Sequence, residues 1–243
     1  MIDKIDLLEF LNINNDSLNT KWLEMILSFA HENNICIEQF KKISLNDEKV
    51  YEYLKNNNLS AIDPFEIFSK YPLQSVCQYP NSFEELKNLF AIYRPAVLES
   101  GIVDEYFENR NNPTNIPCQI EELKDVFEPI LQNSYGVPIY HEQVIKILQN
   151  VLNISYETAK ELRKKFAKRK ISYFEFTEYF LGNGSYKDDY VGRFYALLEF
   201  YTPYTIDENF VISYTKQAYY LAYFRIYTNN NEMGLSGKIK CIN

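Results

Sequence analysis

Apolar residues recur along most of this chain with the 3.6-residue period of a helix, and no alternation of the kind a half-buried strand needs persists for more than a few residues. Trp22, Met25, Ile26, Phe29 and Ala30 follow the i, i+3, i+4, i+7, i+8 pattern and predict a helix over Asp16 to Asn33, with Asp16 or Ser17 as its cap. Val50, Tyr51 and Leu54 predict a second after Asn46, stopped by the asparagines at 56–58. A short helix is expected from Pro64 to just before Pro72. Ser82 and Glu85 make an S-x-x-E capping box ahead of Leu86, Leu89 and Phe90, so a helix runs over 83–92, with Pro95 closing it.

The stretch Glu108 to Gln119, ENRNNPTNIPCQ, has no period and reads as an exposed loop or hinge. It would divide the chain into helical lobes at 13–110 and 111–243. Glu121 to Asn133 is helical in pattern but interrupted at Pro129, and Gly136 with Pro138 turns the chain. Val144, Ile147, Leu148 and Val151 place a helix after His141, leading through Asn153 into another. Leu181 to Ser185 is a turn, and Val191, Phe194, Tyr195 and Leu198 define a helix ended by Pro203. The last periodic segment, Val211 to Tyr227, is aromatic on more than one face, so the rest of the chain should wrap it. The tail beyond Thr228 is expected to be loosely held. The class is mainly α.

Charge changes this picture at one place. From residue 160 to 170, Lys160, Arg163, Lys164, Lys165, Lys168, Arg169 and Lys170 face a single acid, Glu161, giving +6 in a chain of net charge −8, so that the remainder carries −14. At 100° per residue Ala159, Leu162 and Phe166 share a narrow arc, while Lys160, Arg163, Lys164 and Lys168 share the opposite side. The apolar stripe would dock this helix with its cations outward. Like charges spaced four apart repel by a few tenths of a kcal/mol per pair, which a polyanion would relieve. The bland alternative is a solvated face, with Glu157 paired to Lys160, Glu161 to Lys165, and the terminal cations complementing the helix dipole. On charge alone the bland alternative carries more weight.

The 243 residues, 46% hydrophobic, suffice for a real core. No apolar run is long enough to span a membrane, and MIDKIDLLEF carries acids where a signal peptide has a basic region, so a cytoplasmic protein with no membrane partner is expected. Cys36, Cys77, Cys118 and Cys241 stand singly, with only His31 and His141 beside them, which indicates neither a zinc site nor a disulfide framework. There is no GxSxG, no GxxxxGK[ST] and no HExxH. His141, before an apolar helix, reads as a boundary residue rather than a general base. Asp188 and Asp189 read as solvated residues of a first turn. The acidic pI, near 5.0, argues against indiscriminate coating of nucleic acid but leaves room for a local basic site.

Taken in order, several motifs resemble the alpha subunit of bacterial DNA polymerase III, the C-family replicative polymerases. The resemblance starts at Lys4-Ile5-Asp6-Leu7-Leu8 and continues through Ile43-Ser44-Leu45-Asn46-Asp47-Glu48-Lys49-Val50-Tyr51-Glu52. Residues 93–106, YRPAVLESGIVDEY, are similar to that family's YRPGPLESGMVDEY signature. Phe127 to Leu131, Tyr135-Gly136-Val137 and Tyr140-His141-Glu142-Gln143-Val144 resemble LEPIL, YGV and YQEQV, and the basic helix lines up with the family's RRAMGKKK element. The resemblance implies a multi-helix fingers-type domain in two lobes, with residues 1–12 a remnant of the last palm strand. It also reverses the weighting of the basic helix. Arg94 and Arg163 foremost, then Lys160, Lys164, Lys168 and Lys216, become the expected contacts to DNA or nucleoside triphosphate, where arginine forks and lysine point charges suit phosphate oxygens.

Departures from the family pattern bear on the chemistry. Two-metal nucleotidyl transfer needs converging carboxylates; Asp6 matches one acid of the family, and the paired aspartates would precede residue 1. Mg2+ is therefore expected only with a complementing palm domain, and the chain is expected to be inactive as a DNA polymerase by itself. Ala96 and Ala167 replace family glycines, and near the end Tyr214 to Tyr219 stands where the family has NKSHAAAY, matching Lys216 only with a slip of register. Three functions in DNA replication are compatible with this pattern: a stand-alone phosphate-binding fingers module, one part of a split polymerase whose palm lies on another chain, or an inactive interaction protein acting on replisome subunits.

Overall fold

The computed structural model describes residues 2–12, 19–56, 79–114, 116, 118–181 and 190–228. Among these the chain forms helices and one isolated parallel bridge, Tyr140 with Ile206, and no strand. The mainly α class read from the periodicity is the observed one. The helix expected at Pro64 to Pro72, the turn over Gly182 to Ser185, Asp188 and Asp189, and the tail beyond Thr228 lie outside the described residues.

The chain divides into two compact units, residues 1–90 with 209–243, and residues 91–208. The expected boundary at 110/111 is not where the division falls. Glu108 to Asn111 are not loop but the last turn of a helix, and the final helix belongs mostly with the first unit, a long-range contact that no local punctuation announces.

In the first unit, α1 (Lys4–Leu11) replaces the strand expected within residues 1–12. Asp3 caps it by accepting the Asp6 N–H at 2.8 Å, and Leu7 and Leu11, four apart, are both buried, which is a helical spacing. α2 (Thr20–Glu32) is capped by Asn19, which accepts the Trp22 N–H at 3.2 Å; Asp16 and Ser17, the expected caps, lie outside the described residues. α3 (Ile37–Lys41), α4 (Glu48–Asn56) and most of α5 (Phe83–Ile92) follow. They surround α13 (Glu208–Thr228), on which residues 217–222 are buried without a break, so no face of it is a solvent face. Its rings pack at 4.5 Å for Phe40 with Tyr220, 4.9 Å for Trp22 with Tyr214 and 4.8 Å for Phe90 with Tyr214. Buried hydroxyls on α13 find carbonyls: Ser213 Oγ donates to Asn12 O at 2.6 Å, and the Tyr219 hydroxyl donates to Ser44 O at 2.8 Å.

The second unit holds α6 (Pro95–Leu98), α7 (Ile102–Asn111), α8 (Lys124–Leu131), α9 (His141–Leu152), α10 (Tyr156–Ala167), α11 (Tyr173–Leu181) and α12 (Val191–Tyr201). The helix is not interrupted at Pro129 as expected: α8 runs through it to Leu131 and tightens to 3-10 geometry only over Gln132–Ser134. Gly136 then turns the chain at φ 81°. Gln143 fastens the start of α9, its Oε1 accepting the N–H groups of Ile139 and Tyr140 at 2.9 and 3.0 Å while its Nε2 donates to Ser134 Oγ at 2.7 Å. Asn153, left-handed at φ 49°, ends α9, and Ser155 caps α10 through the Thr158 N–H. As the arc predicts, Ala159, Leu162 and Phe166 are buried. Leu162 and Phe166 each contribute about 1.5–3 kcal/mol of transfer free energy, and Phe166 meets Phe176 of α11 edge-on at 5.3 Å. This stripe fixes which side of α10 is left for charge.

Candidate functional site

Arg94 is positioned by three constraints. Pro95 disfavours helical backbone at the residue before it, and Arg94 is extended at φ −129°, ψ 142°. Its Nε donates to Ala91 O at 2.7 Å, and a terminal nitrogen donates to the Tyr204 carbonyl. Burial lowers its pKa from the ordinary arginine value, but the guanidinium stays charged.

Tyr204 ends a 3-10 turn over Thr202–Tyr204, against which α10 packs. Two residues on, the bridge closes: His141 N–H donates to Ile206 O at 2.9 Å, and Ile206 N–H donates to Ile139 O at 3.1 Å. The bridge sets His141, the first residue of α9, beside Thr205 and Asp207. Arg163 on α10 and Arg94 both bear on that imidazole. Burial, then the Arg163 charge, push His141 down to about 4, with Arg94 adding a smaller push; Asp207 and a hydrogen bond to the Thr205 backbone oppose them. His141 is therefore neutral at pH 7.

Arg163 itself has its pKa lowered by burial and raised by Glu142, Asp207 and Glu161. Its Nε is buried without a hydrogen-bond partner, and the guanidinium bonds to no described residue. Glu142 is pushed up by burial, against the N–H of Glu208, which it accepts at 3.1 Å. The cluster thus combines two guanidiniums, a neutral imidazole and the carboxylates of Glu142 and Asp207, with one guanidinium spent on carbonyls and the other unbonded. Two positive charges and two carboxylates thus face one another around a single imidazole.

The other residues singled out in the sequence have separate fates. Lys164 pairs with Glu161 at 2.6 Å, and Lys160 lies 5.6 Å over the ring of Tyr156. Lys165 reaches Glu175 of α11 at 2.6 Å. Neither pair of the bland alternative, Glu157 with Lys160 or Glu161 with Lys165, forms. Lys168 is exposed and pairs with no described acid. Lys216 lies in the first unit, where its ammonium donates to Phe10 O at 3.4 Å and sits 5.5 Å over the Phe10 ring; burial lowers its pKa. Asp6 also lies in the first unit, on the first turn of α1. Among the described residues no three His, Cys, Asp or Glu side chains gather to hold a metal. Sequence reasoning missed His141, Glu142 and Asp207 as partners of the arginines. The signal that could have found them is the YHEQV motif, whose histidine stands where the family carries glutamine.

Helices throughout, with an arginine-centred charged cluster where α9, α10 and the 202–204 turn meet, define the class as an all-α module with a candidate anion site. More particularly, the chain belongs to the bacterial DNA polymerase III alpha subunit finger domain family, whose sequence model matches residues 19–182. It is 29% identical over 226 residues to the DNA polymerase III subunit alpha of Staphylococcus epidermidis, covering 90% of this chain and 20% of that protein. To the DNA polymerase III subunit alpha of Staphylococcus aureus it is 30% identical over 204 residues, 81% of this chain and 18% of that protein. The chain spans about a fifth of the length of these relatives.

Proposed function

We propose that this chain acts in DNA replication as a fingers domain that binds the phosphates of DNA or of a nucleoside triphosphate. Arg163 is the principal contact in this reading, with Arg94 bearing on the same imidazole and Lys160, Lys164 and Lys168 flanking it on α10. The unbonded guanidinium of Arg163 carries the proposal. A buried donor without a partner costs about 1–3 kcal/mol, and a phosphate oxygen would accept from it in the fork geometry that guanidinium offers. Lys216, engaged at Phe10, is left out. Nucleotidyl transfer and its Mg2+ are assigned to a palm-containing polymerase chain, and Asp6 to no more than an accessory place beside it.

Fluorescence anisotropy with labelled primer-template, competed by nucleoside triphosphate, tests this. About four phosphate contacts predict a log–log salt slope of roughly −3 to −4. Arg163→Gln should weaken binding about 10-fold or more, as loss of a charged hydrogen bond worth about 1.5–3 kcal/mol requires, and should reduce the slope by about 1. Undiminished binding by Arg163→Gln, or no binding at low salt by the unaltered chain, would overturn the assignment.

A further inference from the structure

The C-terminal end of α10 carries a surface that the Arg163 cluster shares only at Lys168. Lys168, Arg169 and Lys170 are consecutive and exposed, and none comes within ion-pair distance of a described acid, though the charge of Lys168 bears on Glu161. Their backbone is fixed: Lys168 N–H donates to Lys164 O at 3.2 Å, Arg169 N–H to Phe166 O at 2.9 Å and Lys170 N–H to Lys165 O at 2.8 Å. Arg169 holds a left-handed φ of 53°, a conformation that side chains other than glycine adopt reluctantly, so this is a built turn and not a frayed end. Three residues after Lys170, α11 begins with two rings in solvent, Tyr173 at 47% and Phe174 at 77% exposure. Phe176 and Phe180 occupy the buried side of α11, which leaves Phe174 outward. The Phe174 ring meets no other described ring, while Tyr173 makes a T-shaped contact with Tyr195 at 5.4 Å.

The same helix buries its other phenylalanines, and it leaves this one out. Cations alone would serve any polyanion, and a duplex keeps its bases stacked inside, offering nothing to Phe174. A single strand offers phosphate and an open base face at each nucleotide, which is the pairing of charge and ring that non-specific single-strand binders use. We propose that the Lys168–Phe174 turn is a binding surface for single-stranded DNA, with Lys168, Arg169 and Lys170 on the phosphates and Phe174, aided by Tyr173, stacking on a base. The proposal deepens the function proposed for this domain and rests on its premise that the domain handles DNA phosphates.

The test measures anisotropy of the whole chain with an oligo(dT) of about 12 nucleotides and with a duplex of equal length. Single strand should bind more tightly than duplex. Phe174→Ala should weaken oligo(dT) binding by about 5- to 30-fold, the loss of one stacked base, while leaving duplex and triphosphate binding unchanged. Because Phe174 is so exposed, the variant should keep its fold, which circular dichroism checks. Phe174→Trp should restore affinity, and its emission should be quenched by oligo(dT); the native Trp22 is buried and does not contribute. Replacing Lys168, Arg169 and Lys170 by alanine together should reduce the salt slope on single strands by about 2. Duplex binding as tight as single-strand binding, or Phe174→Ala without effect, overturns this proposal while leaving the Arg163 site standing. Binding of triphosphate without oligo(dT) does the same, and absence of all binding removes both.

Discussion

His141 offers a test of the charged cluster that needs no ligand. Its pKa in the folded chain is about 4, against an ordinary 6.5, because burial and the Arg163 guanidinium disfavour the imidazolium. A group whose folded pKa is depressed contributes stability that is fully present above the unfolded value and is lost as pH falls through the folded value, here between about pH 6.5 and about pH 4. At 1.36 kcal/mol per pH unit the full depression corresponds to about 3 kcal/mol. His141 is only partly shielded from water, and solvent screening cuts that to about 1–2 kcal/mol. Glu142 acts in the opposite sense, since burial raises its pKa and acid removes a costly buried charge. The clean quantity is therefore a difference between variants. His141→Gln keeps a donor for the Thr205 carbonyl, abolishes the titration and leaves Glu142 in place. Urea unfolding of both proteins between about pH 7 and about pH 4.5 should show the unaltered chain losing about 1–2 kcal/mol more than the variant, with equal m values. Parallel losses would mean that the imidazole is not held neutral by its burial and the neighbouring Arg163, and the described packing around His141 would fall with it.

Two further perturbations probe the turn that delivers α9 to the cluster. Gly136→Ala places a Cβ 2.6 Å from Ile116 Cγ2 at a φ of 81°, so the variant should lose about 1–3 kcal/mol in denaturant unfolding; an unchanged midpoint would contradict that backbone. Gln143→Ala strips the Ile139 and Tyr140 N–H groups of their acceptor and should cost about 2–3 kcal/mol, with amide hydrogen exchange at Ile139 and Tyr140 rising ahead of the rest of α9.

Most of the helices were legible because the apolar period sees burial directly. The stripe of Ala159, Leu162 and Phe166 fixed the face of α10, and the run of aromatic residues in α13 already implied a helix wrapped on every side. The failures share a different cause. Leu7 and Leu11 in α1 carry the helical spacing and Asp3 caps them, whereas the resemblance of residues 1–12 to a palm strand points to extended backbone. The proline and asparagine content of 108–119 reads as a boundary, whereas the real division depends on α13 returning to α1 through α5, and such a return leaves no trace in neighbouring residues. Pro129 reads as a break, but the helix absorbs it and changes pitch afterwards.

Charge was the least legible quantity, for a physical reason. Lys160, Arg163, Lys164, Lys165 and Lys168 contribute equally to a net charge, and their differences arise wholly from what lies across from each. Tyr156 and Glu161, on the same helix, take up Lys160 and Lys164, which a sequence could in principle forecast; Glu175 takes Lys165 from the next helix. Arg163 meets residues 141, 142 and 207, brought beside it by a single bridge between Tyr140 and Ile206. An exposed pair such as Lys164 with Glu161 is worth about 0–1 kcal/mol and yields readily to a phosphate. An unbonded, half-buried guanidinium does not need to yield anything. The basic helix is therefore not a uniform strip but a graded one, in which the guanidinium of Arg163 is part-buried beside Glu142 and Asp207 with no hydrogen bond to a described residue, and that placement comes from the fold of α9 and the 202–204 turn rather than from the count of lysines and arginines.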